Sequence, residues 1–219
     1  MIQNQFVIEI SKPDFDLDHF VNLVIQQAAI REECLQNMLH HEHIMVYYHC
    51  YYVISKTSQL EPKLFYQYWD QIAALLGHKN SYHRDFGLTI LANLVAVDHE
   101  NRFLRVFPDY MQHIHDEKFM TAICCVQNLK KILQYRPDLT PLTLEMLLDI
   151  NSQSGYLEKQ KALMCCDILE IIDLVYETVK DKEKTNRFIL ASCESASPKT
   201  RKKAKELILR LGLSNTASV

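Results

Sequence analysis

Glycine and proline are scarce here, 4 and 6 in 219 residues. Few residues are therefore available for tight turns, which argues against a many-stranded sheet and for long helices joined by short connections. No CxxC spacing occurs among the seven cysteines, which include the adjacent pairs Cys124-Cys125 and Cys165-Cys166. An odd number of thiols without metal-type spacing predicts reduced cysteines and a cytoplasmic location. The N-terminus has no basic segment leading into a long apolar run, and no apolar stretch reaches the roughly 18 residues of a membrane span, so neither secretion nor membrane insertion is expected. A large charge of one sign is missing too. With a net charge of −3 the chain has no global attraction for polyanions, and any nucleic-acid contact must come from a local patch. Phosphate-binding glycine loops, nucleophile elbows and paired acid/base motifs are also absent.

What remains is an ordinary globular composition, 48% hydrophobic and 23% charged. A chain of this length buries a substantial core without disulfides or metals. Laid over itself, it shows a period. Gly87 is followed at offsets three, four and seven by Ile90, Leu91 and Leu94. The pattern returns as Ala122 with Cys125, Val126 and Leu129, as Ala162 with Cys165, Cys166 and Leu169, and as Ala204 with Leu207, Ile208 and Leu211. A weaker copy starts at Cys50, with Val53 and Ile54 but Thr57 in the seventh place. Offsets 0, 3, 4 and 7 define one helical face, and a small anchor lets a second helix approach closely. Each copy is read as an inner helix.

An outer helical pattern precedes each copy: Phe20 to Ala28, Phe65 to Leu76, Val106 to Ile114, Leu144 to Ile150, and Phe188-Ile189. Residues 77–81, 151–155 and 195–198 join outer to inner helices, and Pro62, Pro137 and Pro141 fall between pairs, where helices stop. The expected organisation is an N-terminal cap or extended segment at 1–14, a single helical domain at 15–212 and a short tail at 213–219. Gln5-Phe-Val-Ile-Glu-Ile10 alternates like a short strand but also suits a cap.

Two helices per period of about 40 residues resemble HEAT and armadillo repeats, and residues 81–97 look like the inner helix of such a repeat. The resemblance implies an all-α fold, a right-handed α-α superhelix of about five antiparallel helix pairs, presenting a surface and carrying no cofactor. Asn93 and Asn128 share the sixth offset, a place similar to that of the asparagines by which armadillo proteins hold a peptide backbone. The tryptophan that this family has one turn earlier is replaced by Thr89 or Cys124, and the next two copies carry Ile168 and Arg210.

The first reading is thus a non-enzymatic scaffold engaging a protein or peptide through outward inner-helix positions. Its expected contacts are Asp85, Thr89, Asn93, Thr121, Cys124, Asn128, Lys131, Lys161, Met164 and Ile168. The alternative is a DNA-binding repair protein similar to HEAT-like alkylpurine glycosylases. That reading uses Arg84, Lys130, Lys131, Lys161 and the basic run Lys199, Arg201, Lys202, Lys203 and Lys205 as phosphate or acidic-partner contacts. Against it, the sole tryptophan, Trp69, falls on an outer-helix core pattern, so aromatic residues to cradle a base are largely missing. Solvated cap residues are the plainer account of the basic run. Arg84 and Arg201 both stand three residues before an anchor, which points to a structural role. His40, His41 and His43 suggest a metal cluster, but capping histidines at a connection fit better. Cys125, Cys165 and Cys166 sit where other copies carry core aliphatics.

Overall fold

The computed structural model describes residues 5–150, 155–180 and 182–213. The described residues form twelve α-helices with 3-10 turns and no strand. Their contacts divide the chain into two compact units, Met1–Val106 and Phe107–Val219, each described by itself.

The first unit contains α1 (Gln5–Ile10), α2 (Leu17–Gln26), α3 (Ala28–His40), α4 (Ile44–Leu60), α5 (Trp69–Ala74), α6 (Ser81–Leu94) and the start of α7 (Arg102–Gln112). Gln5–Ile10 is helical, with Phe6 and Ile10 buried, so the strand-like alternation does not prevail. Helices α1, α2 and α3 pack on α4, α4 packs on α6, and α5 with the turn Leu75–Gly77 packs on α6. The sequence pattern ran Phe20 to Ala28 as one helix. The structure breaks it at extended Gln27 and starts a further helix, α3, which the pattern did not show. Side-chain caps fix the starts of α2 and α6: Asp16 accepts from the His19 N–H at 3.0 Å and Asn80 from the Tyr82 N–H at 3.0 Å, each worth about 1 kcal/mol.

The second unit holds the rest of α7, then α8 (Phe119–Tyr135), α9 (Thr140–Leu148), α10 (Glu158–Val175), α11 (Lys182–Ala191) and α12 (Pro198–Leu211). Here α8 packs on α10 and α10 on α12, with α9 against α10 and α11 against α12. Ser197 caps α12 by accepting from the Thr200 N–H, Pro198 fills its first position, and Gly212 closes it at φ 63°, a left-handed conformation that favours glycine. Residues 1–4 of the expected N-terminal segment, 151–154 of the connection expected at 151–155 and 214–219 of the tail expected at 213–219 lie outside the described residues.

The periodic positions form the core. Ile90, Leu91, Leu94, Ala122, Cys125, Val126 and Leu129 are all fully buried. The small anchor has the expected cause at Gly87, where an added Cβ would stand 3.0 Å from the Leu75 Cβ and 3.2 Å from the Ile72 carbonyl oxygen. Hydrogen bonds also join helices one period apart. Tyr51 OH donates to Thr89 Oγ1 at 3.3 Å, 38 residues on. In the second unit Lys130 reaches Glu170, 40 residues on, at 2.5 Å, and Thr200 Oγ1 donates to the Ala162 carbonyl at 2.5 Å.

Candidate functional site

Tyrosine dominates one face of the first unit. Two pairs on α4, Tyr47-Tyr48 and Tyr51-Tyr52, are one helical turn apart, and α6 adds Tyr82 and Phe86 at i, i+4. Tyr48 is the centre. The rings of Tyr52, Tyr82 and Phe86 stand edge-on to it, at centroid distances of 4.9, 5.4 and 5.6 Å. Tyr51 lies flat on Phe86 at 4.0 Å. Each such pair contributes about 0.5–1.5 kcal/mol beyond its area burial, which favours this arrangement of the rings. Tyr52 and Tyr82 are nonetheless each 43% exposed. Burial, and then the neighbouring phenols, push the Tyr48 hydroxyl up to about 12, so it stays protonated and able to donate.

Ring contacts lead from this face to a groove. Tyr52 neighbours His49 at 6.3 Å, His49 stacks on Phe15 at 4.1 Å, Phe15 meets Phe20 at 6.1 Å, and Phe20 meets Phe6 edge-on at 5.5 Å. The groove, about 570 Å³, lies between α1, the turn that follows it, α2 and the start of α3. Phe6, Phe15, Phe20, Leu23 and Ile30 supply its apolar surface; Glu9, Lys12, Asp14, Asp16 and Glu33 supply its charges. His49 ties the two parts together by donating from Nδ1 to the Ile10 carbonyl at 2.6 Å.

The positions expected to face outward are placed differently. Asn93 is buried between α4 and α6, donating to the Ser58 hydroxyl at 2.8 Å and the Ser55 carbonyl at 3.1 Å. Thr121, Met164 and Ile168 are fully buried. Thr89 is half-buried and accepts from Tyr51, and Asp85 and Cys124 are half-buried. Asn128 turns back on its own helix to the Cys124 carbonyl at 2.9 Å. Lys161 pairs with Glu158 at 3.3 Å, and burial pushes the Lys131 ammonium down. The reason is geometric. An inner helix stacked on other inner helices is covered on its flanks as well as on the face toward its outer helix, so offsets two and six are contact positions. The solvent instead meets offset five on α8, at Gln127, and offsets one and twelve on α10, at Leu163 and Leu174.

The basic residues separate into three groups. Arg84 is buried and donates to the carbonyls of His78 and Lys79 at 3.0 and 3.3 Å. Arg201 repeats this on Ser195 and Ala196 at 2.7 and 3.2 Å, and Arg31 on Val24 and Ile25 at 2.8 and 3.3 Å. Arg84 and Arg201 clasp the connection entering their helix, and Arg31 clasps the last turn of α2. They are not displayed to a phosphate. Lys199 faces Glu170 at 3.7 Å, Lys203 faces Asp173 at 2.6 Å, and Arg210 also pairs with Asp173. Lys202 and Lys205 are exposed on the outer face of α12.

The remaining candidates are structural. Trp69 is buried, as are Cys125, Cys165 and Cys166, and burial raises the Cys125 thiol well above its usual range. His41 Nδ1 accepts from the His43 N–H at 3.1 Å in the α3–α4 connection. Among the described residues, no group of three or more His, Cys, Asp or Glu is arranged to hold a metal ion, and no helix is long and apolar enough to cross a membrane. Periodicity missed the tyrosine face because it scored only apolar offsets. The doubled Tyr-Tyr-X-X-Tyr-Tyr from 47 to 52 was the available signal. Compared with protein-family models, curated proteins and solved structures, the chain matches none.

Proposed function

We propose that this chain is a non-enzymatic scaffold that binds a protein or peptide, built as a HEAT- or armadillo-like superhelix of about five helix pairs. The build is supported by buried anchors at a period of about 40 residues and by the hydrogen bonds one period apart. The observation that carries the function is the tyrosine face. Tyrosine supplies a large contact area with few rotatable bonds, and its hydroxyl pairs with main-chain groups of a partner. Here five tyrosines lie on two packed helices, with Tyr52 and Tyr82 pre-positioned and open. The binding positions are thus moved from Asn93 and Met164 to Tyr48, Tyr52 and Tyr82.

The test is affinity capture from native lysate at low and high salt, with nuclease treatment, using the wild-type chain and Tyr52→Ser with Tyr82→Ser. A protein held at both salt concentrations and released by the double substitution supports the scaffold. Equal capture by the variant removes the tyrosine face. Recovery of nucleic acid only, lost at high salt, moves the function to the repair-protein alternative.

A further inference from the structure

We propose that the groove between α1, α2 and α3 receives a basic amphipathic segment of the partner protein, its aliphatic side chains on the phenylalanine floor and its Lys or Arg side chains on the carboxylate rim. The partner being a protein rests on the scaffold reading; its chemistry rests on the groove. Among the described residues, four carboxylates line it, Glu9, Asp14, Asp16 and Glu33, against one cation, Lys12, a local charge of −3. Lys12 is already held by Glu9 at 2.6 Å, and Asp14 and Asp16 are exposed. The bias extends beyond the groove. Residues 1–106 carry eight Lys and Arg against twelve Asp and Glu, net −4, of the chain's 24 and 27, which leaves sixteen against fifteen for residues 107–219.

The floor is aromatic, with Phe20 in ring contact with Phe6 at 5.5 Å and with Phe15 at 6.1 Å. At about 570 Å³ the groove falls within the range of pockets that enclose a compact apolar body, with room for a few side chains. A carboxylate rim around an apolar floor selects cationic amphiphiles and repels acidic ones. Ring contacts through buried His49 connect the groove floor at Phe15 to Tyr52 of the tyrosine face.

Fluorescence anisotropy with a labelled, roughly 14-residue amphipathic Leu/Lys peptide reads this directly on the full chain. The comparators are the same peptide with Glu in place of every Lys, and an oligolysine of equal charge. The Leu/Lys peptide is expected to bind on the order of 10-fold tighter than either. Its affinity is expected to fall as salt rises from about 50 to about 300 mM, because Asp14 and Asp16 on the rim are exposed and the other two carboxylates are only half-buried. Asp14→Asn with Glu33→Gln is expected to weaken binding on the order of 5-fold while Trp69 fluorescence reports an intact fold. Oligolysine or the Glu peptide binding equally well overturns the proposal, as does a double variant that binds like wild type. If that happens while a protein is still captured through Tyr52 and Tyr82, only the partner chemistry falls. Loss of both removes the scaffold reading as well.

Discussion

His83 makes the stability of the first unit depend on pH. Its ring is 5% exposed, stacks on His78 at 4.3 Å and touches Tyr47 at 5.0 Å and Phe86 at 5.3 Å. Nδ1 is buried without a hydrogen-bond partner, while the ring also bonds to the backbone of Met38. A proton added at Nδ1 would place a charge where nothing accepts it. Burial, followed by the nearby His78, accordingly lowers the pKa from 6.5 to about 4. The sign follows directly. Between these values the unfolded chain binds a proton that the native one does not, so stability rises with pH and is lost as pH falls below 6.5. At about 1.36 kcal/mol per unit, the fall from pH 6.5 to about 4.8 costs at most about 2.3 kcal/mol. The ring is covered but shallow, lying under half-buried His78, so solvent screening reduces the expected loss to about 1–1.5 kcal/mol.

Trp69, the sole tryptophan and 1% exposed, lies in the same unit, so its fluorescence during urea unfolding isolates the relevant transition. His83→Gln keeps a donor for Met38 and cannot titrate. Between pH 7 and about 4.8 the wild type should lose about 1–1.5 kcal/mol more than the variant. His115, whose pKa burial also lowers, remains in both proteins and cancels in the difference. Staying above about pH 4.5 avoids Glu170 and Asp138, carboxyls that Lys130 and Arg136 hold low. Equal losses in the two proteins would refute the assignment of the dependence to His83.

Three further substitutions probe the packing. Asn93→Ala removes two hydrogen bonds inside the first unit and should lower its stability by about 2–3 kcal/mol in the Trp69 urea transition, whereas Asn128→Ala, which loses a bond within its own helix, should change helix melting by under about 0.5 kcal/mol. Gly87→Ala should destabilise the Trp69 transition by about 1–2 kcal/mol despite alanine's better helix propensity, because the new Cβ meets the Ile72 carbonyl; Gly77→Ala, with nothing within 4 Å, should be far milder. Arg201→Met should cost about 1–2 kcal/mol in circular-dichroism melts by releasing two loop carbonyls, while Lys202→Met on the exposed face should stay within about 0.5 kcal/mol.

The helices were legible where one physical cause repeats. A small anchor followed by apolar offsets marks a helix that must bury one face, and α6, α8, α10 and α12 all lie on that pattern. The arginine three residues before the anchor was legible from its recurrence at Arg84 and Arg201. Helix α3 was not, because Ala28–His40 mixes buried Arg31, Cys34 and Met38 with charged residues and shows almost no amphipathic contrast. Its burial comes from packing against α4, a tertiary cause with no trace in local spacing.

The site was misread for a related reason. A single-helix pattern shows which arc must be buried, but the remaining arc is exposed only if no further helix covers it. In a stack, neighbouring inner helices cover most of what is left, and small polar residues at offsets two and six serve that contact. Asn93 bonding to Ser55 and Ser58 is one such case, and Thr89 receiving Tyr51 is another. Large side chains behave differently. Tyr52 and Tyr82 reach past the contact and keep part of each ring in solvent while the rest packs on Tyr48. Among packed helices, bulky amphipathic residues clustered one turn apart therefore mark an exposed face better than small polar residues at a nominally outward offset.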